Sequence, residues 1–585
     1  MKVIQNKSYD NSLFLSIKEQ VCLSRGMKYA DVKTYLNNEI DCTHSPTLLG
    51  VDKLREAAKK IMTAVSFDQP AFVIVDSDCD GFTSAALLIN YLYCAFPSWV
   101  NRRLTYGFHK GKAHGIDEFV DELDNSNIKL LLVPDAGSND NDSINRLHSK
   151  MDIIILDHHI IEGGSSNPNA TIINSQYSYP NPELSGVGVV YKFCQFMDKL
   201  LETSYAEEFK DLVAIGLTGD MQSMLSLETK QLIFEGLKLS NLRNPFIRGM
   251  AEKNDYSLQK SDYKPSGNYG LKISPIGSAF FIIPFINAMC RSGTQEEKEL
   301  IFKSMLNHCA DEFIPSNKRG HKEGEEETLL SQALRCCTNV KNRQTRAEEA
   351  GMAHLQTQIE SKLEDKVFVF YDDIDCIQKE IYGLVCNKLA SAYQRPVCIV
   401  SKCADGTYAG SMRGYTKTGI QSFKTIAESS KACEWCRGHG NASGICLNDP
   451  EQFIKDMNET LKDISSDVVY YVDYVFSGGD IDSQIVYELA EMIEFIGTDF
   501  ERPQIHIKGL KVNSNNLRVM ANGVIKISTP TVDIIKFGTT EEQIEELQSG
   551  ITINLVGTCN LNEWNFEINP QVTMIAYEKA KEWNF

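Results

Sequence analysis

The sequence predicts a multidomain α/β protein: an open parallel sheet early in the chain, a smaller second α/β unit reached through helices, and a terminal unit of short strands. Three observations predict it. Short apolar runs rich in Val and Ile recur before position 220, each followed by an acidic residue. Ala- and Leu-rich segments with helical spacing lie between them. Beyond position 500 the pattern changes to short segments divided by turn residues. Unbroken apolar runs are the mark of parallel strands covered on both faces. At 585 residues the chain is also longer than one core organises.

Taken in order, Ala71 to Val75 reads AFVIV and stops at Asp76; Leu130 to Val133 precedes Pro134 and Asp135; Ile153 to Leu156 precedes Asp157. These are read as strands. Leu212 to Leu217, before Asp220, is mixed and fits a strand or a helix. Thr83 to Tyr93 and Val187 to Leu201 have the composition and spacing of crossover helices. In such a sheet, ligands collect beyond the carboxyl ends of the strands, where the acidic residues fall. From 231 to 365 the pattern is helical: NKRGHKEGEEE (317–327) reads as an exposed loop and Leu330 to Lys362 as a long connecting helix. VFVFYDD, IYGLVCNKLASAY and PVCIV then give strand, helix and strand in a second α/β unit spanning 366–455. An acidic helix near 450–465 reads as a linker to the last unit, 456–585. Its segments IHIKGLKV, LRVMAN, VIKIS, TVDIIKF, ITINLVG and FEINPQVTMIAY suggest a barrel or sandwich. No solenoid repeat is visible.

Hydrophobic residues at 42% and charged residues at 23% are those of a folded globular protein. The sequence shows no basic and apolar leader, and no run reaches the ~18 apolar residues of a membrane helix. A cytoplasmic location without membrane partners is expected. The 17 cysteines are scattered and are expected to be reduced. A net charge of −19 excludes general attraction to nucleic acid, although a local basic groove is compatible with it.

The densest chemical signal is DSDCDG, residues 76–81. If the chain stays extended after the strand, Asp76, Asp78 and Asp80 share one side. Crowded carboxylates need cations or protons to offset their charge; an acidic loop of helix-capping aspartates is the other reading. Asp157, His158 and His159 add a carboxylate and imidazole set suited to Mn, Fe or Zn, with Mg favouring oxygen alone. Asp135 and Asp220 close two further segments.

In this order DSDCDG, PDAGS, LDHH and TGD resemble the four motifs of the DHH phosphoesterase superfamily, and more closely its RecJ-type single-strand-specific 5′ to 3′ DNA exonucleases. The resemblance implies a parallel-sheet DHH catalytic domain over residues 1–230, a DHHA1-like substrate-binding domain over 366–455 and an OB-like barrel within 456–585. It also implies two divalent metal ions, manganese preferred and magnesium an alternative. Asp78 and Asp80 would each bind one ion, Asp135 would bridge them, and His158 and Asp220 would complete the second site. Asp76, counted with His159, Arg413 and His439 among the catalytic residues, would orient the loop or join the first ion through water, and His159 would face the scissile phosphate. GSMRG (410–414) and GHGNASG (438–444) match the accessory domain and assign phosphate contacts to Ser411, Arg413, Gly438 and His439, with Arg437 where the family usually has glycine. IIPFINAMCRSG (282–293) adds Asn287 and Arg291, with Cys290 in a usual glycine position.

The family's C-terminal barrel implies single-strand binding by basic and aromatic residues, here Lys508, Lys511, Arg518, Lys526 and Trp564. The expected partner is single-stranded DNA, with RNA a second candidate and single-strand-binding or replication and repair proteins as further ones. The expected products are nucleoside 5′-monophosphates. Cys433 and Cys436, with Cys446 and either Cys403 or His439, could form a zinc site, although their spacing is irregular. Three alternatives remain: a superfamily member acting on short oligonucleotides, cyclic dinucleotides or polyphosphate; a scaffold on a decayed catalytic domain; and an acidic interaction hub.

Overall fold

The computed structural model describes residues 1–6, 15–110, 113–164, 167–260, 262–265, 270–373, 376–415, 420–463, 468–478, 480–564 and 567–580. The first sheet comprises β1 (Ala71–Val75), β2 (Leu104–Phe108), β3 (Leu130–Pro134), β4 (Asp152–Asp157) and β5 (Thr171–Asn174), all parallel, in the order β2-β1-β3-β4-β5. Every residue of β1 and β3 is buried. Each large aliphatic side chain so covered contributes roughly 1.5–3 kcal/mol. From β1 the chain moves outward to β2, then returns to β3 and continues the other way. The crevice between the carboxyl ends of β1 and β3 is therefore the sheet's topological switch point. Asp76 and Asp135 stand on its two sides.

Helix α1 (Cys79–Ala95) leaves the switch point, and α2 (Gly186–Leu201) and α3 (Lys210–Gly219) pack against it. One open alternative is decided and one local expectation is corrected here. The segment Leu212 to Leu217 is helical: Gly216 allows α3 to approach α1 so closely that an added Cβ would lie 2.4 Å from Thr83 Oγ1. Nor does the chain stay extended after β1. Asp78 caps α1, accepting from Gly81 N at 3.0 Å, and Asp80 lies in the first helical turn. Strands β2 and β5 were missed. LTYGF carries a glycine and an exposed threonine, and TIIN is only four residues long.

Helix α4 (Ile283–Ser292) and the 28-residue α5 (Leu329–Gln356) connect this unit to the second. The exposed segment 317–327 is largely a loop, its base closed by the short antiparallel pair Phe313–Pro315 and Glu326–Thr328. The second sheet is mixed, formed by β6 (Phe368–Tyr371), β7 (Val397–Lys402), β8 (Tyr408–Arg413), β9 (Cys433–His439) and β10 (Ala442–Leu447) in the order β9-β10-β8-β7-β6. Helix α6 (Tyr382–Tyr393) covers one face. The helix read as a linker is α7 (Pro450–Thr460); it places Phe453, Ile454 and Met457 in the core of the other face. Its acidic residues are solvated while its apolar stripe is structural.

The last sheet has seven strands: β11 (Tyr474–Ser477), β12 (Gln504–Val512), β13 (Leu517–Val519), β14 (Ile525–Ser528), β15 (Asp533–Lys536), β16 (Ile551–Trp564) and β17 (Glu567–Lys579), in the order β11-β12-β16-β17-β15-β14-β13. Its apolar face is continuous with the core of the first unit, whereas the second α/β unit has cores of its own. Lys2–Gln5 pairs in parallel with Val469–Val472, which ties the first residues to the last unit. Among the described residues, no helix is long and apolar enough to cross a membrane.

Candidate metal centre

The carboxyl ends of β1, β3 and β4, the start of α1 and the end of α3 deliver eight side chains to one crevice. Ligand atoms of Asp80, His158 and Asp220 lie within 4.8 Å of one another, as do those of Asp76, Asp78 and Asp135. His158 joins the groups, its Nε2 lying 3.3 Å from Asp135 Oδ1 and 3.4 Å from Asp220 Oδ2. Asp80 sits beneath the N-terminus of α2, accepting from Gly186 N (2.7 Å), Val187 N (3.1 Å) and Ser185 Oγ (3.0 Å). Free N–H groups at a helix start favour such a carboxylate.

Without cations the cluster is electrostatically unfavourable. Burial, reinforced by Asp76 and Asp220, pushes the Asp78 carboxyl up to about 6. Burial, reinforced by Asp220 and Asp78, pushes Asp80 up to about 8. Asp135 is raised well above the ordinary range by burial and the surrounding carboxylates. Its Oδ1 is buried and has no hydrogen-bond partner among the described residues. Its backbone, at φ +68, occupies the left-handed region that non-glycine residues rarely adopt. Strain, an orphaned oxygen and mixed carboxylate and imidazole donors together fit a divalent cation of the Mn type, with Asp78, Asp80, Asp135, His158 and Asp220 as candidate holders.

Asp157 has a different place. Its Oδ1 accepts from His158 N (2.7 Å), His159 N (3.2 Å) and His159 Nδ1 (2.7 Å), and its Oδ2 from Ser138 N (3.1 Å). Burial would raise its pKa, but these donors and the two imidazoles overcome that and hold it far below the ordinary range. With its acceptor sites filled, Asp157 orients His159 and leaves the imidazole Nε2 as the second nitrogen. Burial lowers the pKa of His158. For His159, burial is outweighed by the Asp157 hydrogen bond, so its pKa is raised.

Asp76 is likewise engaged by neighbours. It accepts from His114 Nδ1 (2.8 Å) and Gly115 N (3.3 Å), and His109 Nε2 lies 3.5 Å away. The His114 ring meets the His159 ring edge-on at 4.8 Å. Burial opposes protonation of His114, but the Asp76 contact prevails and its pKa rises to about 9. Sequence reading missed His109, His114, Ser185 and Gly186. The two histidines follow β2, itself unrecognised, and HKGKAHG was the available signal. Gly186 shows only in three dimensions: a Cβ there would lie 2.2 Å from Asp135 Oδ1. Gly186→Ala is therefore expected to displace the Asp135 carboxylate and weaken Mn2+ binding at least ~10-fold while the chain stays folded. Calorimetric Mn2+ titration checks this; unchanged affinity would contradict the assigned role.

The remaining expected residues divide. Asn287 lies beside the centre, but its Oδ1 receives Cys79 N at 3.2 Å and so anchors the start of α1. Burial lowers the Arg413 pKa, and the charge of Arg291 adds to that effect. Ser411 is on β8 beside Arg413, and Gly438 takes φ +123 on β9, a conformation reserved for glycine. The side chains of His439 and Trp564 lie outside the described residues. Lys508 and Lys511 are exposed on β12, separated by a bulge. Arg518 and Lys526 are opposite each other on β13 and β14, with three strands between β14 and β12. Lys526 is already paired with Asp533 at 2.6 Å. Cys433 and Cys436 approach at 3.4 Å, but among the described residues no third ligand atom joins them in a metal-sized cluster.

Residues 70–217 match the DHH family, N-terminal domain, and residues 472–576 match the RecJ OB domain. The chain thus carries a DHH-family N-terminal domain and a RecJ OB domain. It is 29% identical to the SPbeta prophage-derived YorK of Bacillus subtilis, named as a single-strand DNA-specific exonuclease, over 98% of this chain and 97% of that one. It is 23% identical to the single-stranded-DNA-specific exonuclease RecJ of the same organism, over 91% of this chain and 64% of that one. The crystal structure of RecJ in complex with Mn2+ from Thermus thermophilus shares the fold, with a TM-score of 0.70 at 18% identity, covering 99% of this chain and 80% of that one. The RecJ-type architecture thus extends through the accessory unit between the two matched domains.

Proposed function

We propose that this RecJ-type chain is a metal-dependent exonuclease that degrades single-stranded DNA from its 5′ end to nucleoside 5′-monophosphates. The observation that carries the reading is the cluster of buried Asp80 and Asp135 with half-buried Asp78, His158 and Asp220, and its orphaned Asp135 oxygen. Asp78 would hold one ion, Asp80 the other with His158 and Asp220, and Asp135 both. Two divalent cations, when bound, supply Lewis acidity to an attacking water and to the phosphate oxygens.

The rest of the chemistry belongs to side chains. His159, fixed by Asp157, presents Nε2 toward the phosphate, and Arg413 adds a fixed positive charge from the accessory unit. Asp76 holds the loop that carries Asp78. No side chain need bond covalently to the substrate. The names of YorK and RecJ support single-stranded DNA as the substrate class.

Digestion of 5′-labelled and 3′-labelled single-stranded DNA, duplex DNA and RNA with Mn2+ or Mg2+ tests the proposal. The 5′ label is expected to leave first, as mononucleotide, with single strands cut at least ~10-fold faster than duplex. First release of the 3′ label, or equal cutting of duplex, would overturn the polarity or the strand preference.

A further inference from the structure

We propose that Lys341, on α5, completes with Arg291 and Arg413 a binding site for a second phosphate, next to the one the metal centre would hold. The inference rests on the exonuclease reading and adds a substrate contact to it. Asn287, which touches Cys79 beside Asp78, and Arg291 are four residues apart on α4, hence about one turn, or ~6 Å, apart on one face. Arg291 thus lies one helical turn from the metal centre, toward the accessory unit.

Helix α5 passes the end of α4 at that point. Gln344 Nε2 donates to Ser292 Oγ at 3.2 Å, and Arg343 Nη2 donates to Ser292 O at 2.9 Å. Lys341 Nζ donates to Gln344 Oε1 at 3.0 Å, so the same glutamine ties its ammonium to Ser292, the residue after Arg291. Arg413 arrives from the other side, at the end of β8. Its guanidinium lies over Gly383 at the start of α6, where an added Cβ would come within 2.4 Å of Nη2, and Nη1 donates to Met412 O at 2.7 Å.

Three cations from three elements thus lie where α4, α5 and the start of α6 meet, and among the described residues none of them forms an ion pair. Their neighbours do: Lys388 pairs with Glu348 at 2.5 Å and Arg343 with Glu297 at 2.8 Å. Burial lowers the Lys341 pKa; Glu348 opposes that, and Lys388 and Arg291 add to it. Glu348 is already paired with Lys388, and half-buried cations with no carboxylate in direct contact are stabilised by an anion. A nucleic-acid strand offers two kinds here, a terminal 5′-phosphate and an internal phosphodiester.

The test is equilibrium binding of single-stranded oligonucleotides, with and without a 5′-phosphate, to the full chain in EDTA across a salt series. Lys341→Gln and Lys341→Met are both expected to weaken binding at least ~5-fold and to reduce the slope of log K against log salt by about one; Lys341→Arg should retain both. Loss confined to the 5′-phosphorylated oligonucleotide identifies the terminal phosphate, and equal loss identifies an internal one; either supports the site. Wild-type affinity and slope in both neutral variants, or equal weakness in Lys341→Arg, would overturn it. Because binding is read without turnover, wild-type protein that binds single strands but fails to cut them refutes the exonuclease reading and leaves this one standing.

Discussion

Asp135→Asn is expected to abolish nuclease activity while leaving the metal-free protein at least as stable as the wild type. Losing an outer partner of a metal ligand typically costs roughly 10- to 100-fold, and removing the shared carboxylate should cost more. Asparagine is the informative replacement because it tolerates the φ of +68 at this position, whereas alanine would add backbone strain to the lost ligand. It also removes a buried acid that Asp80, Asp78 and Asp76 repel. Single-turnover digestion and a melting curve in EDTA check the two halves. Wild-type activity in Asp135→Asn would refute the metal assignment; inactivity with a large fall in melting temperature would indicate a structural role.

The second large effect is a pH-dependent stabilisation by manganese. Asp78 and Asp80 have folded pKa values of about 6 and 8, above an unfolded value near 4. The native protein therefore binds more protons than the unfolded chain across this interval, so metal-free stability falls as pH rises from 6 to 8. His114 acts in the same direction, because its contribution is lost as pH passes about 9. His158, with a lowered pKa, opposes the trend only up to its ordinary value near 6.5. Asp157, held below the ordinary range, is already ionised in both states. The net change is on the order of a few kcal/mol. Melting in EDTA and in Mn2+ at pH 6, 7 and 8 should show a gap that widens with pH. A constant gap, or metal-free melting that rises with pH, would refute this account.

The metal-centre candidates were legible because a parallel strand ends abruptly: AFVIV before Asp76, LLLV before Pro134 and Asp135, and IIIL before Asp157 are signals contained within a few residues. The same locality explains what stayed open or was not seen. Leu212 to Leu217 fits a strand or a helix as a sequence, and the close approach of Gly216 to Thr83, more than 130 residues away, exists only in the fold. His114 and Gly186 owe their places to Asp76 and Asp135, which no spacing along the chain connects to them. Barrel cations were chosen by residue type alone, and Lys526 proved to be paired with a neighbour that type could not reveal. Chemistry was readable where one strand end carried it and unreadable where it arose from elements meeting across the fold.

The pairing of Lys2–Gln5 with Val469–Val472 also sets a schedule for synthesis. Asn6 and Asp473, bonded at 2.9 Å beside it, are 467 residues apart. At ~5–20 residues per second, the ribosome takes roughly 20–90 s to supply the partner strand. During that interval the opening segment has an unpaired backbone edge, while the parallel sheet at β1 to β5 already has all its strands. The catalytic crevice can thus form early, and the chain's first residues become fixed only as its last unit is completed.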